Sequence, residues 1–175
     1  MQMKAVENNF DDLKVNELLK KHFIELRSVS PAGSTHVLDI DGLKDNTIKF
    51  WSIWDNEDLI GCGAIKILSQ NHGEFKSIRV HDKFREKGYG KKIISILILK
   101  SKDIGLKNIF IETGSGKFFE PARKLFKSCG FEECEPFGHY KTDPNSCYMK
   151  ISLCFLLFKS FFYVFCRVIP GILFY

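Results

Sequence analysis

The segment Arg85-Glu86-Lys87-Gly88-Tyr89-Gly90 joins a strand-like run, Glu74 to His81, to a helix-like run, Lys91 to Ser101. Its two glycines allow the backbone to approach a ligand closely. The first N–H groups of the helix that follows have no partner within that helix, and the positive end of its dipole attracts anions. The order of strand, glycine turn and helix therefore predicts a binding site for the pyrophosphate of a nucleotide-like cofactor.

Basic residues are concentrated around this turn: Lys83, Arg85, Lys87, Lys91 and Lys92. The spacing of the glycines matches neither the dinucleotide fingerprint G-x-G-x-x-G nor the P-loop G-x-x-x-x-G-K-[ST]. A glycine turn that only starts a helix is the alternative interpretation. The order of the elements on both sides of the turn favours the anion site.

Length and composition limit the classes of protein to which the chain can belong. The chain has 175 residues, of which 45% are hydrophobic and 27% charged, and this is typical of one globular domain with a sizeable core. The formal net charge of +5 fits an anionic small ligand. Because the sequence has no zinc-finger spacing, no RNP-type aromatic motif and no long basic helix, no nucleic-acid partner is predicted.

The cysteines indicate the compartment. None of the six forms a C-x-x-C pair or a Cys/His cluster with zinc-ligand spacing, so no metal is predicted. The run Met1 to Lys14 is polar and lacks the apolar core of a signal peptide. We therefore expect free thiols in a reducing, cytoplasmic compartment.

The first half of the chain predicts a meander of strands with one early helix. Apolar residues recur at helical spacing from Val15 to Leu26, and Asn8 or Asn9 is the expected cap of that helix. Runs rich in β-branched and aromatic residues predict the strands. These strands are Lys4 to Glu7, Ile48 to Trp54, Leu59 to Leu68 and Glu74 to His81.

The second half alternates between helices and strands. The helix that starts at the glycine turn is too apolar for a surface helix, so we expect it to pack against the sheet. The short apolar strand after it should lie parallel to the strand before it. The remaining elements are a strand from Asn108 to Glu112, a helix between Pro121 and Gly130, and strands at Phe131 to Cys134 and Cys147 to Ser152.

Two segments resemble the GNAT N-acetyltransferase superfamily. The pattern R-x-x-G-x-G at Arg85 to Gly90 resembles its acetyl-coenzyme A motif, and Ala122 to Phe131 resembles its A-x-x-L-Y-x-x-x-G-F segment. The order of elements is that of the GNAT fold over about residues 40 to 153. The run Gly114 to Met149 resembles a branch of small, mostly uncharacterised bacterial acetyltransferases.

The resemblance implies an α/β (α+β) fold. It implies a mixed central sheet with an antiparallel N-terminal meander and parallel motif strands, and helices on both faces. Residues 1–153 would form a single acetyltransferase domain. Residues 154–175 would be an apolar C-terminal extension whose role stays open.

The resemblance also implies acetyl-CoA as co-substrate and a primary amine as acceptor. In the family, the pantetheine arm lies against the motif strand, which matches Ile78, Arg79 and Val80 here. The pyrophosphate would lie against the turn, namely Arg85, Glu86, Lys87, Gly88, Tyr89, Gly90 and Lys91. Ser77 and Thr113 could add hydrogen bonds. Transfer is direct in this family, with both substrates bound together.

Glu74 is the predicted general base. Counted back from Gly88, it matches the catalytic glutamate of the histone-acetylating branch of the family, and a base is needed because an aliphatic amine is protonated at neutral pH. An ordinary strand-start residue paired with Lys76 is the alternative.

The chain departs from the family at Phe126. The family often has a tyrosine at this position, which protonates the leaving thiolate. Tyr89, Tyr140 and His139 are candidate substitutes, or the thiolate leaves without an acid. Phe118, Phe119 and Tyr140 could line the acceptor pocket, although aromatic core packing is the stronger interpretation for all three.

The last residues of the chain, 154–175, are intensely apolar. Lys159, Arg167 and Pro170-Gly171 interrupt them, whereas a membrane span needs about 20 apolar residues. Membrane contact through 154–175, packing onto the domain, packing onto a second subunit in a homodimer and an extension without a role all stay open.

Three functions follow from the sequence. The first is an N-acetyltransferase acting on a small metabolite, an amino acid or a protein amine. The second is a non-catalytic acyl-CoA-binding domain, which the missing tyrosine permits. The third is a membrane-associated interaction module, which the apolar extension permits.

Overall fold

The structure, a computed structural model, describes residues 3–31, 34 and 36–153. The expectations for the apolar extension fall on 154–175 and lie outside the described residues. In the described part of the chain, no helix combines the length and the apolar character needed to cross a membrane.

Seven strands form one sheet: β1 (Lys4–Glu7), β2 (Ile48–Asp55), β3 (Asp58–Ile67), β4 (His72–Val80), β5 (Asn108–Gly114), β6 (Glu132–Glu133) and β7 (Ser146–Ser152). Their order is β1-β2-β3-β4-β5-β7-β6. Strands β1 to β4 form an antiparallel meander, and β5 is parallel to β4 and antiparallel to β7. This mixed sheet confirms the predicted fold class.

Helices cover both faces of the sheet, as predicted: α1 (Leu13–Val29), α2 (Ile40–Leu43), α3 (Tyr89–Asp103) and α4 (Glu120–Ser128). Successive residues of a strand point to opposite faces. Phe50 of β2 accordingly packs in one core with Val15 of α1. Its neighbour Trp51 packs in the other core with Ile93 of α3 and Phe126 of α4.

The start of α1 differs from the prediction that Asn8 or Asn9 caps it. The cap is Asp12, whose Oδ1 accepts hydrogen bonds from the backbone N–H groups of Lys14 (2.9 Å) and Val15 (3.3 Å). Asn8 lies in a turn instead, with a φ of 50°. A carboxylate that satisfies two helix-end N–H groups at once outweighs the earlier asparagines.

Two further elements differ from the prediction. The short helix α2 arises where no element was expected, because Oδ1 of Asp39 accepts a hydrogen bond from the N–H of Gly42 at 2.8 Å. The strand predicted from Phe131 to Cys134 shortens to β6, in which Glu132 and Glu133 pair with β7, and the N–H of Cys134 donates one more hydrogen bond to the backbone oxygen of Tyr148 at 3.0 Å.

A β-bulge interrupts the pairing of β3 and β4. Cys62 pairs with Arg79 while Ala64 pairs with Lys76, so β4 carries an extra residue in this stretch. Ser77, inside the bulge, has a φ of 49°. A bulge bends its strand and redirects the side chains that follow. It lies on the motif strand, where the resemblance implies contact with pantetheine.

Gly61, one of the two glycines in β3, is needed because another backbone passes very close. A Cβ at this position would overlap the carbonyl oxygen of Arg79 and lie 2.7 Å from Cδ1 of Ile93. We expect Gly61→Ala to lower the free energy of unfolding by roughly 1–3 kcal/mol, as for an overpacked core. Urea denaturation measures the change. Gly116→Ala is the matched control, since a Cβ there meets nothing within 4 Å, and equal losses in both variants would contradict the expectation.

Candidate active site

Strands β4 and β5 diverge after a short parallel contact. Their pairing runs only from His72 with Asn108 to Glu74 with Phe110. Further along, β5 continues with β7 on its other side, and a cavity of about 740 Å³ lies in the cleft. Residues 75–80 of β4 and 111–114 of β5 line it. The β4 backbone that faces β5 is therefore available to a ligand rather than to a neighbouring strand.

The glycine turn closes one end of this cavity. Glu86 and Gly88 have φ values of 61° and 79°, which turns the chain sharply into α3. Among the described residues, no side chain caps the N-terminus of α3. A Cβ at Gly90 would lie 2.7 Å from Cδ2 of Leu125 in α4. The turn thus brings free helix-end N–H groups and the neighbouring helix to one place.

Most residues predicted to bind the cofactor line the cavity: Ile78, Arg79, Val80, Arg85, Glu86, Gly88, Gly90 and Lys91. Lys87 and Tyr89 lie outside the lining. Nζ of Lys87 donates to the backbone oxygen of Lys83 at 3.1 Å. The ring of Tyr89 packs edge-on against Phe84. That these residues hold a cofactor stays a prediction.

The side chain of Arg79 is part of an internal ion-pair network. It is only 6% exposed, pairs with Glu25 of α1, and its Nη2 lies 3.1 Å from Oδ1 of Asp82. Nε of Arg85 lies 3.0 Å from the same oxygen. The network ties α1 to the residues just before the glycine turn. Charge-assisted pairs of this kind hold the turn in a fixed orientation.

His22 of α1 lines the cavity between β4 and β5. It does so from the face of the sheet opposite α3 and α4. It is 6% exposed, and its Nδ1 has no hydrogen-bond partner among the described residues. Burial, followed by the nearby charge of Arg79, lowers the pKa of His22 from 6.5 to about 4. His22 is therefore neutral at physiological pH.

The lowered pKa of His22 links stability to pH. Between pH 6.5 and pH 4 the unfolded chain binds a proton at this residue and the folded chain does not, so stability falls as the pH falls through this range. We expect His22 to lower the free energy of unfolding at pH 4 by on the order of 3 kcal/mol. His22→Gln should abolish this part of the pH dependence. Urea denaturation at pH 7 and pH 4.5 measures it; the same pH dependence in both proteins would refute this assignment.

A second cavity adjoins the first and shares His36, Val37 and Lys76 with it. The predicted base Glu74 lines this second cavity together with Tyr140. Oε1 of Glu74 lies 2.9 Å from Nζ of Lys76 and accepts a hydrogen bond from the Tyr140 hydroxyl at 2.7 Å. Nζ of Lys76 also donates to that hydroxyl at 2.6 Å. Glu74 is 2% exposed, and both donors contact the same carboxylate oxygen.

Glu112 of β5 is not among the residues predicted from the sequence. It lines the cavity between β4 and β5, which is called the main cavity from here on. Its Oε1 accepts a hydrogen bond from the Ser146 hydroxyl at 2.7 Å. Burial raises the pKa of Glu112, with the Ser146 hydrogen bond and Lys76 opposing that rise. A signal existed, because Glu112 lies at the carboxyl end of a strand parallel to its neighbour, where ligands bind in open α/β sheets.

The candidates for the leaving-group acid are dispersed. Phe126 is buried and lines the main cavity at the position of the family tyrosine. Tyr140 and His139 line the second cavity instead. Burial, followed by the charge of Glu74, raises the pKa of Tyr140 strongly, which makes this phenol a weak acid. Tyr89 packs beside Phe84, outside both linings.

The remaining predicted residues lie around the cleft. Ser77, Thr113, Phe118 and Phe119 line the main cavity. Phe118 is exposed and stacks edge-on against Phe119 at 5.1 Å. Tyr140 contacts the ring of His36 at 5.0 Å in the second cavity. The aromatic residues thus divide between the two cavities rather than forming one pocket.

The family is shown by a family model and by two relatives of known sequence. The family model described as "Acetyltransferase (GNAT) family" matches residues 14–131. The chain is 42% identical over 142 residues to the uncharacterised N-acetyltransferase YsnE of Bacillus subtilis, covering 79% of this chain and 94% of that protein. It is 35% identical to the uncharacterised N-acetyltransferase YedL of Escherichia coli, covering 82% of this chain and 92% of that protein.

The fold is also that of a solved acetyltransferase. Spermidine N-acetyltransferase from Vibrio cholerae, solved in complex with CoA and spermine, superposes with a TM-score of 0.66 at 18% identity, covering 89% of this chain and 98% of that one. Matching motifs, matching sheet topology and the extent of the family match lead to one conclusion. The chain belongs to the GNAT family of acetyltransferases and is an acyltransferase.

Proposed function

We propose that this chain transfers an acetyl group from acetyl-CoA to a primary amine by direct attack, with both substrates bound together. The observation that carries the proposal is the cleft between β4 and β5. It has free strand backbone along one wall, the glycine turn at one end and a carboxyl group of raised pKa, Glu112, on the other wall. One cavity thus contains both the turn that would bind the anionic cofactor and the carboxyl group that would remove the proton.

The residues present fit coenzyme A. The turn offers uncapped helix N–H groups for a pyrophosphate, and Gly90 lets Leu125 of α4 pack closely against the start of α3. Residues 78–80 of the bulged strand offer backbone groups for the pantetheine amides. Acetyl-CoA supplies a thioester carbonyl, which a neutral amine attacks so that the acetyl group moves to nitrogen and CoA leaves as a thiolate.

Glu112 is the general base in this proposal. A carboxylate needs access to the amine, and Glu112 lines the main cavity whereas Glu74 lies outside it. A raised pKa improves a carboxylate as a base, because its proton affinity comes closer to what the working pH demands. Ser146 holds one oxygen of Glu112 at 2.7 Å, which leaves the other oxygen to take the proton.

Glu74 as the base stays a prediction, and its contacts favour another role. It fixes Lys76 and Tyr140 in the wall between the cavities through hydrogen bonds of 2.9 Å and 2.7 Å. Losing its charge would leave the buried ammonium of Lys76 without its carboxylate partner, which is costly. We propose that Glu74 positions this wall.

The thiolate leaves without a side-chain acid at the family position, because Phe126 has no proton to give. A thiol has a pKa of about 8.5, so a thiolate is a fair leaving group near neutral pH. This departure is also what favours the second candidate function, an acyl-CoA-binding domain without efficient chemistry.

A coenzyme A release assay across a panel of amines tests the proposal. Release that depends on a primary amine supports acetyl transfer. Calorimetric binding of acetyl-CoA with no release on any amine favours the binding domain instead. Detergent-dependent fractionation of the full chain, and of a chain ending at residue 153, tests the membrane-associated alternative. Absence of both binding and release would refute the proposal.

A further inference from the structure

Two arginines that line the main cavity are held side by side by two carboxylates. Oδ1 of Asp82 lies 3.1 Å from Nη2 of Arg79 and 3.0 Å from Nε of Arg85, so one oxygen contacts both guanidinium groups. Oε2 of Glu25 also contacts both, at Nη1 of Arg79 and, at 3.6 Å, at Nη2 of Arg85. Both arginines line the cavity, whereas Asp82 and Glu25 do not. The carboxylates therefore act on a bound molecule through the arginines.

Helix α1 supports this arrangement from outside the turn. Lys21, one helical turn before Glu25, binds the second carboxylate oxygen of Asp82. The hydrogen bond from Lys21 lowers the pKa of Asp82, and the charges of the two arginines add to this effect against the opposing effect of burial. Asp82 is therefore ionised at neutral pH. With three cations and two carboxylates, the network keeps an excess of positive charge.

Arg85 keeps hydrogen-bond donors for a ligand in this arrangement. A guanidinium has five N–H groups, and here Nε and Nη2 contact the two carboxylates. Within the described part of the chain, Nη1 of Arg85 has no carboxylate oxygen within ion-pair distance. The side chain is 43% exposed and belongs to the glycine turn that closes one end of the main cavity. Its remaining N–H groups can therefore contact an anion bound at the turn.

Asp82 influences such an anion in two opposite ways. Its negative charge repels the anion and so weakens binding. Its contact with Nε of Arg85 strengthens binding, because a long side chain that is already held in place loses less freedom when the ligand arrives. Removing the carboxylate would tighten binding if charge dominated, and would weaken binding if position dominated. The sign of the change thus identifies the role of Asp82.

We propose that Asp82 is a positioning residue for the cofactor, which holds the guanidinium of Arg85 against the diphosphate of the acyl donor. This inference rests on the proposed function, since it takes coenzyme A as the carrier, but it does not require turnover of any amine. Lys21 and Glu25 hold the same pair of groups from α1. Helix α1, which packs on the face of the sheet opposite α3, thereby becomes a part of the cofactor site.

A double-mutant cycle with calorimetric titration of coenzyme A tests the proposal. We expect Arg85→Ala and Asp82→Ala each to weaken binding about 10-fold. The double variant should bind no more weakly than Arg85→Ala alone, because no side chain is then left to position. Asp82→Asn keeps an oxygen that can accept from Nε of Arg85, and it should bind about as tightly as the wild type.

The matched control is Asp58→Ala, which removes the same charge from a carboxylate that pairs with Lys83 at 3.3 Å instead of with an arginine. It should bind coenzyme A at least as tightly as the wild type. Arg79 keeps its contact with Glu25 when Asp82 is replaced, so the fold should persist. Urea denaturation checks this, and Asp82→Ser takes the place of Asp82→Ala in the cycle if the alanine variant is unfolded.

The outcomes separate this inference from the proposed function. Unchanged binding in Arg85→Ala, tighter binding in Asp82→Ala, additive losses in the double variant or an equal loss in Asp58→Ala overturns the positioning role and leaves acetyl transfer standing. Binding of coenzyme A by the wild type without release on any amine refutes acetyl transfer, while the cycle still decides the inference. Absence of coenzyme A binding by the wild type overturns both.

Discussion

Replacing Glu112 by glutamine is expected to lower kcat by about 10²–10⁴-fold, which is the usual contribution of a positioned general base. Glutamine keeps the size of the side chain and can still accept the hydrogen bond from Ser146, so the fold should persist. Acetyl-CoA should bind as before, since the proposed pyrophosphate site lies at the glycine turn. Steady-state coenzyme A release and calorimetric titration measure the two quantities.

The pH profile distinguishes a base from a structural residue. Burial raises the pKa of Glu112, and a base works only when it is deprotonated, so the rate should fall as the pH falls through that raised pKa. Glu112→Gln should lack this acidic limb. Glu74→Gln is the comparison: we expect it to disturb Lys76 and Tyr140, raise KM and keep the limb. If Glu74→Gln removes the limb and Glu112→Gln keeps it, the original prediction for Glu74 is correct and ours for Glu112 is wrong.

Substitutions in the glycine turn should weaken cofactor binding by a factor comparable to the fall in kcat expected for Glu112→Gln. Gly88 has a φ of 79°, which a valine adopts only with strain, and Gly90 leaves no room for a side chain beside Leu125. A turn that moves away from the pyrophosphate loses charge-assisted hydrogen bonds of about 1.5–3 kcal/mol each. We therefore expect Gly88→Val and Gly90→Val each to weaken acetyl-CoA binding about 100-fold, measured by calorimetry.

Gly105 supplies a control for the strain itself. Its φ is 91° and, like Gly88, a Cβ there meets nothing within 4 Å, but it lies at the opposite end of α3, away from the cavity. Gly105→Val should lose stability about as much as Gly88→Val, as urea denaturation would show, and still bind acetyl-CoA. If Gly88→Val, Gly90→Val and Gly105→Val all bound acetyl-CoA with the same affinity, the assignment of the turn as the pyrophosphate site would be wrong.

The glycine turn was predictable because its chemistry is local. Glycines, the strand before them and the helix after them are neighbours along the chain, and their backbone conformations follow from residue type. The same holds for the alternation of β2, which places Phe50 and Trp51 in different cores. Counting back along one strand led to Glu74, and the structure places that residue beside Lys76 and Tyr140, outside the main cavity.

The family, the order of the elements and the position of the turn could be read from the amino-acid sequence, because these depend on residues close together in the chain. Which carboxyl group faces the cleft became clear only from the folded structure. Glu112 gains its surroundings from Ser146 and Lys76, which are distant in sequence and meet it through the pairing of β5 with β7 and the divergence of β4. Burial and charge at a site are sums over such distant neighbours, and no short stretch of sequence contains them.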